Sequence, residues 1–543
     1  MRLNRGHALG IATLSGFAIA SCNLALGLGG YDFEGAGGSS TTSSGGSSST
    51  SSSSGTGAGG MDGGGPDDAP DGADADAGPE PGRTLWARGF GDEMNDEVVN
   101  AVAVGGPSDH VFITGRAPIR EVFNCPSSDA GPATTGFLVE LDPDDGTCLW
   151  SYFFGADAEG TAVAVDGSGN LVLAGTFRSQ LSVDPAWPMA AAGTDSFIAR
   201  FDVGHDLQWV RRVNESGGTG DQKITALSMN AVEIAAAGTY DKALRISGPS
   251  ITNVDIAGAP DGVDAFVLLF DMNGTYGSIL PISSASGMQP QLAAGVGVRA
   301  TDGTFAVVGS TMGPTKFNGD LVNTGFDSSM FLGVYDSSKT TKFKLILGDG
   351  SPQYGRSAAF DHAGHIVIAG DFLGTVNVLG QDSDAGAGIV NEGGADVFVA
   401  RYQDDGTPGG LLQLGLDVQG TNNATVGGLA IYENATDTTQ KHVILAGAFS
   451  GTFGVAGGPA VPSAGSNNDV YVARVDFDLA AGKWVKHFGD QADQAATAVA
   501  VDSKGNTIVV GRHQGTIDFG SPSLPLENKG GGFDDIFVAK LAP

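Results

Sequence analysis

Residues 83–543 predict an all-β fold, a ring of seven four-stranded blades. Three observations lead there: one four-part strand pattern occurs seven times, tight Asp/Gly turns separate the parts, and no sustained helical period appears beyond the N-terminus. Trp86, Trp150 and Trp209 space the first copies by roughly 60 residues, and the stretch from Trp209 to Trp484 accommodates four slightly longer ones. That is the size of a propeller blade with generous loops. Apolar residues make up 41% of the 543 and 87 are Gly, which suits a large core joined by many turns.

The chain opens with an address. Arg2 and Arg5 precede an apolar run from Ala8 to Ala20, too short to span a bilayer, and small residues follow. Residues 1–21 therefore read as a signal peptide. Residues 22–82 follow as a linker: 39–54 is almost wholly Ser, Gly and Thr, and 67–79 is Asp, Ala, Gly and Pro. Neither can bury enough apolar surface to offset ordering, so a disordered spacer is expected, with a reach of roughly 40 Å.

The head begins with a Trp strand, Leu85–Phe90, ending in Phe-Gly. The second part of each copy is small and apolar, as in Ala101–Val104, Ala162–Val165 and Ala498–Val501. Strands converging on a propeller axis need small residues, and strands buried on both faces lose the polar alternation. Turns such as Asp166-Gly-Ser-Gly-Asn170 and Asp502-Ser-Lys-Gly-Asn506 follow, with Asp starting the turn and Gly taking the positive φ. The third part is a middle strand such as Ile366–Ala369. The fourth alternates, as in Asp396, Phe398 and Ala400.

The frame is shifted. The chain starts on the Trp strand and ends on the fourth part at Leu541, so the last blade lacks its outer strand. Leu85–Phe90 is predicted to supply it, closing the ring and removing a free sheet edge.

Two resemblances follow from these residues. Ile19-Ala20-Ser21-Cys22 resembles the lipobox of bacterial lipoproteins, which implies cleavage before Cys22 and its lipidation. Phe-Gly, Ala-Val-Asp-x-x-Gly-Asn, Gly-x-Phe-x-Gly and Asp-x-Phe-Val-Ala-Lys, in that order, resemble the SBBP-type β-propeller repeats of bacterial lipoproteins and surface proteins. The likeness covers roughly 85–543 and is strongest in the second, fifth and seventh copies. It implies a shape and no particular reaction. The implied location is the cell envelope, at the outer membrane or cell surface, with the lipid on Cys22 as membrane partner and a monomeric head.

The formal charge of −33, from 28 basic and 61 acidic residues, leaves no basic footprint for phosphates, so nucleic acid is not expected as a partner. Cys125 and Cys148 both fall in the first copy. In an oxidising compartment they form either a disulfide or two separate thiols.

The short Asp/Gly turns are expected on one face of the ring, and the longer variable loops on the other. Acids recur there: Asp92, Asp96, Asp157, Glu159, Asp490 and Asp493 are the candidate cation or ligand residues, with Ca²⁺ as the cation and solvated surface charge as the alternative. The histidines have no zinc spacing, and no nucleophile elbow or phosphate loop is visible, so no catalytic residue is assigned. The expected function is a non-enzymatic, lipid-anchored scaffold binding a protein or glycan through the variable-loop face. The alternatives are a hydrolase or lyase at the axial opening and a purely structural surface protein.

Overall fold

The structure is a computed structural model. It describes residues 80–543, apart from 119, 127–134, 216–217, 257–261, 286–288, 323–327, 379–387, 392, 416–422, 435–436, 438–439, 456–459 and 531. Residues 1–79, which hold the expected signal peptide, Cys22 and most of the expected linker, lie outside the described residues.

The chain forms seven antiparallel blades. Blade 1 runs from the axis outward through Val98–Gly105, His110–Arg116, Gly136–Leu141 and Cys148–Phe154. The innermost strands of blades 2 to 7 are Ala158–Val165, Gln222–Met229, Gln291–Val298, Gln353–Phe360, Asn423–Glu433 and Gln494–Val501. Each touches the next around the axis, and Gln494–Val501 returns to Val98–Gly105. Seven blades therefore form one closed ring.

Closure is as expected. The N-terminal strand Thr84–Phe90 pairs antiparallel with the C-terminal strand Asp535–Leu541, with Trp86 opposite Lys540 and Phe90 opposite Ile536. Just outside that ladder, Gly82 N donates to Ala542 O at 3.1 Å and Ala542 N donates to Arg83 O at 2.8 Å. Trp86 and Phe90 are buried, and each contributes about 2–3 kcal/mol of apolar transfer to the closure.

All seven inner strands carry a bulge at the same register, as between Val99 and Ala101, Ile224 and Ala226, and Ala496 and Ala498. The extra residue turns towards the next blade. Thr497 Oγ1 donates to Val99 O at 2.7 Å, Asn100 Nδ2 to Gly160 O at 2.9 Å and Thr225 Oγ1 to Ala293 O at 2.8 Å. Polar residues inside an otherwise Ala/Val strand thus join blade to blade.

One expectation is corrected. Segments after the middle strands, including those of residues 118–132 and 374–394, read as open loops of the variable face. The described part of the first is a 3₁₀ turn, and most of the others fold as short hairpins, such as Thr375–Asn377 with Gly388–Val390. Leu244–Ser247 with Val254–Ile256 extends blade 2 to six strands, and Thr315–Phe317 with Asp320–Val322 does the same for blade 3. The physical reason is the exposed ladder of an outermost strand, which a short hairpin covers. In blade 1 a 3₁₀ turn, Arg120–Phe123, drops Phe123 between Phe90, Phe137 and Phe153, with ring centroids 5.1, 4.7 and 6.2 Å away. Cys125 and Cys148 are joined as a disulfide, with Cα atoms 5.1 Å apart, tying this insertion to its own outer strand.

Candidate functional site

The variable-loop face rests on a polar layer that explains three sequence motifs at once. The Asp opening the third strand lies across the end of the outer strand, and the Gly that follows that strand, in Phe-Gly or in Leu414-Gly415, makes room for it. A Cβ on Gly91 would lie 2.1 Å from Asp535 Oδ1, one on Gly415 2.2 Å from Asp396 Oδ1, and one on Gly489 2.4 Å from Asp469 Oδ1. A Gln opening the inner strand then secures the following loop. Gln494 Nε2 donates to Asp490 Oδ1 at 2.7 Å, and Asp490 also accepts from Ala492 N at 2.8 Å and Thr516 N at 2.7 Å. Asp349 is held the same way by Gln353, Ser351 and Thr375.

The six candidate acids fall into this framework. Asp92 accepts from Met94 N at 2.6 Å and Asn95 N at 3.0 Å, and Asp96 Oδ1 accepts from Asp534 N at 3.0 Å. Asp493 Oδ2 meets Arg512 at 2.7 Å, and Arg512 also holds Asp534 at 2.9 Å. Asp92, Asp96 and Asp493 are therefore gathered at the closing seam between blades 7 and 1, with Asp490 on the adjoining loop. Glu159 is one blade away, bonded to Asn100 Nδ2, and Asp157 is exposed beside it. Backbone N–H groups, amides and a guanidinium occupy most of these carboxylates. Among the described residues no group of three or more His, Cys, Asp and Glu side chains is arranged to hold a metal ion.

Glu97 was not among the candidates and is the most perturbed acid on this face. It stands where blades 3, 4, 5 and 7 carry Gln222, Gln291, Gln353 and Gln494. Its carboxyl is pushed up to about 8 by burial and by the nearby charges of Asp92 and Asp535. Such a shift marks catalytic acids, but Glu97 is fully buried. No substrate reaches it, and its role is to receive Asp92 N at 3.2 Å and fix the first loop.

The opposite face has a second repeated device. In blades 1, 3 and 5 the 3–4 turn packs against the outer strand of the blade before it, with a Gly of positive φ at the contact. Gly146, Gly274 and Gly406, at φ 73°, 73° and 87°, lie against Trp86, Trp209 and Phe343. The indole N–H groups of Trp86 and Trp209 donate to Pro143 O and Met272 O of those turns. From the third strand a basic residue also reaches the next blade: Arg401 donates to Phe477 O, Arg474 to Gly505 O and Lys540 to Pro143 O.

The seam between blades 1 and 2 keeps a positive-φ turn residue against an outer-strand aromatic but changes the side chains that meet there. The basic position is Glu140 and the turn position is His205, at φ 67°. His110 Nδ1 lies 2.5 Å from Glu140 Oε1, and His205 Nε2 lies 3.0 Å from Glu140 Oε2. Trp150 stacks on His205 with centroids 4.1 Å apart. Burial would raise the Glu140 carboxyl, but the bonds and charges of His205 and His110 outweigh it and hold the group below its usual range. The three residues line a groove of about 370 Å³. Distance in sequence hides this cluster from motif reading. The visible signal is Glu140 itself, an acid where four blades read Arg200, Arg401, Arg474 or Lys540 and two read Leu269 or Val334.

No protein-family model matches the chain. It is 25% identical over 402 residues to Regulatory protein FlaEY of Caulobacter vibrioides, a match that covers 69% of this chain and 38% of that protein. Among solved structures, a protein of unknown function from Dyadobacter fermentans aligns over 85% of this chain and 98% of its own, at 11% identity and a TM-score of 0.37. Apo AztD from Citrobacter koseri aligns over 74% and 95%, at 12% identity and a TM-score of 0.31. At those values neither likeness bears on the chemistry of this chain.

Proposed function

We propose that this is a lipid-anchored cell-envelope protein whose propeller head is a non-enzymatic binding scaffold for a protein or glycan. The anchor is Cys22, the spacer is the Ser/Gly/Asp-rich linker, and the binding surface is the variable-loop face. One observation carries the binding part: the loop-face carboxylates are spent on positioning backbone, so the loops are held in place by a rigid ring, a usual setting for recognition. The acid with a catalytic signature, Glu97, is closed to solvent, which favours binding over hydrolysis at this face.

Two measurements test the reading. Metabolic labelling with palmitate should mark the wild-type chain and leave Cys22→Ala unlabelled; equal labelling removes the anchor claim. Thermal melts of the full chain with purified envelope glycans and proteins should show a concentration-dependent rise for a ligand of the folded state. The rise should disappear when loop residues 93–95 are replaced by Gly-Ser-Gly. Turnover of a ligand, rather than stoichiometric binding, would instead establish an enzyme.

A further inference from the structure

We propose that the groove between blades 1 and 2, on the short-turn face, binds a small primary ammonium compound with a short apolar body. This site lies on the face opposite the loops discussed above and does not depend on their function.

The argument begins with the repeat. Four blades place Arg or Lys at the third-strand position, and three of these reach a carbonyl of the next blade. Three blades place Gly at the turn position, against an aromatic ring. The seam of blades 3 and 4 also lacks both, with Leu269 and Lys339, but the first seam alone puts an acid at the basic position, Glu140, facing His205 and with His110 added from the middle strand. A solitary change at such a seam is ordinary drift. Here two imidazoles from two blades meet on one carboxylate beside an open groove, whereas the comparable carboxylate Glu433, between blades 5 and 6, is paired with an ammonium group of the chain itself, Lys441.

The chemistry of the cluster selects the ligand. Glu140 is ionised, so both imidazoles donate to it, His110 through Nδ1 and His205 through Nε2. In neutral rings the remaining nitrogens, His110 Nε2 and His205 Nδ1, are acceptors. The site then offers one negative charge and imidazole acceptors, with the Ser108 hydroxyl beside them, which suits a cation with several N–H donors. The two imidazoles hold opposite oxygens of the carboxylate, bridged by it rather than facing one point. The walls are apolar: Leu149 and Val203 are 37% and 65% exposed, and Phe112 lies behind them. Trp150 fixes the plane of His205 from outside. The chain's charge of −33 raises the local concentration of cations.

The test is titration calorimetry on the full chain with phenethylammonium chloride at pH 8.5, with 2-phenylethanol and 3-phenylpropionate as neutral and anionic comparators. One saturable site is expected for the ammonium compound, at least tenfold weaker binding for the alcohol and none for the carboxylate. Glu140→Arg combined with His205→Gly restores residues used by other blades, so the fold should hold while ammonium binding is lost. Glu140→Gln keeps the side-chain shape and should weaken binding at least tenfold, which covers failure of the double variant to fold. Absence of a saturable signal with the ammonium compound, equal binding of the carboxylate, or full affinity in Glu140→Gln would overturn the proposal.

Discussion

The closing blade and the seam between blades 1 and 2 both hold clustered titratable groups, and they use them in opposite ways. At the closing seam, Arg512 lies between Asp493 and Asp534, and Glu97 is buried beside Asp92 and Asp535. The side chains of Arg512 and Asp534 are 11% and 12% exposed. At the seam of blades 1 and 2, Glu140 is just as enclosed, but His110 and His205 are 34% and 24% exposed and open onto a groove. The first joins the two ends of the chain within blade 7, where Thr84–Phe90 pairs with Asp535–Leu541, and its Arg512 is balanced by Asp493 and Asp534. The second is continuous chain, joined by a short connection between Phe154 and Ala158, so its side chains are not needed to hold the ring shut. Exposure, rather than charge, separates groups that hold the ring from groups that can meet a ligand.

The largest effect should come from removing the closing strand. Deletion of residues 80–90 leaves Asp535–Leu541 with an unpaired edge and uncovers its apolar neighbours. Loss of a cooperative thermal transition, with association visible by light scattering, is expected. A sharp, monomeric transition would show that the ring closes without it. Arg512→Met leaves two acids without their partner and should cost about 3–5 kcal/mol in denaturant unfolding. A cost below about 1 kcal/mol would make this seam no more dependent on charge than a surface pair.

The disulfide steadies the open seam, because Cys148 immediately precedes Leu149 and Trp150. Cys125→Ser with Cys148→Ser should lower stability by about 2–4 kcal/mol, lost equally by the wild type under reductant.

Glu97→Gln should act in the other direction. Folded Glu97 keeps its proton until about pH 8, whereas the ordinary value is 4.5. Between these pH values the folded chain binds more protons than the unfolded one, so the contribution of Glu97 to stability falls as pH rises. The Gln variant escapes that loss. Its melting point should match the wild type near pH 4 and exceed it increasingly towards pH 8, by a margin equivalent to about 1–3 kcal/mol. A constant offset across that range would disprove the assignment. The smallest effect is expected for Glu140→Arg, within about 1 kcal/mol of wild type, because other blades carry Arg there.

Much of the architecture was legible because strand periodicity and turn chemistry are local. Asp166-Gly-Ser-Gly-Asn170 announces its turn, and the structure shows why: Asp166 Oδ1 accepts from Ser168 N and Asn170 N, both at 2.9 Å. The missing outer strand after Leu541 was legible from counting. The candidate acids were placed on the loop face by the same frame. Their engagement by Met94, Asn95, Ala492 and Arg512 was not legible, since it depends on how each loop folds back. Glu97 gave no warning either. Its pKa comes from burial, from Asp92 once the loop folds back, and from Asp535, more than four hundred residues away in the chain.

The sequence by itself determined the number of blades, the order of strands within them and the need for an N-terminal strand to finish the last, because each follows from short-range pattern and a simple count. Only the tertiary structure decided that Phe-Gly exists to admit an Asp carboxylate, that variable segments become edge-covering hairpins, and that His110, Glu140 and His205 share one groove. Those outcomes depend on distances across blades, which a linear pattern does not carry.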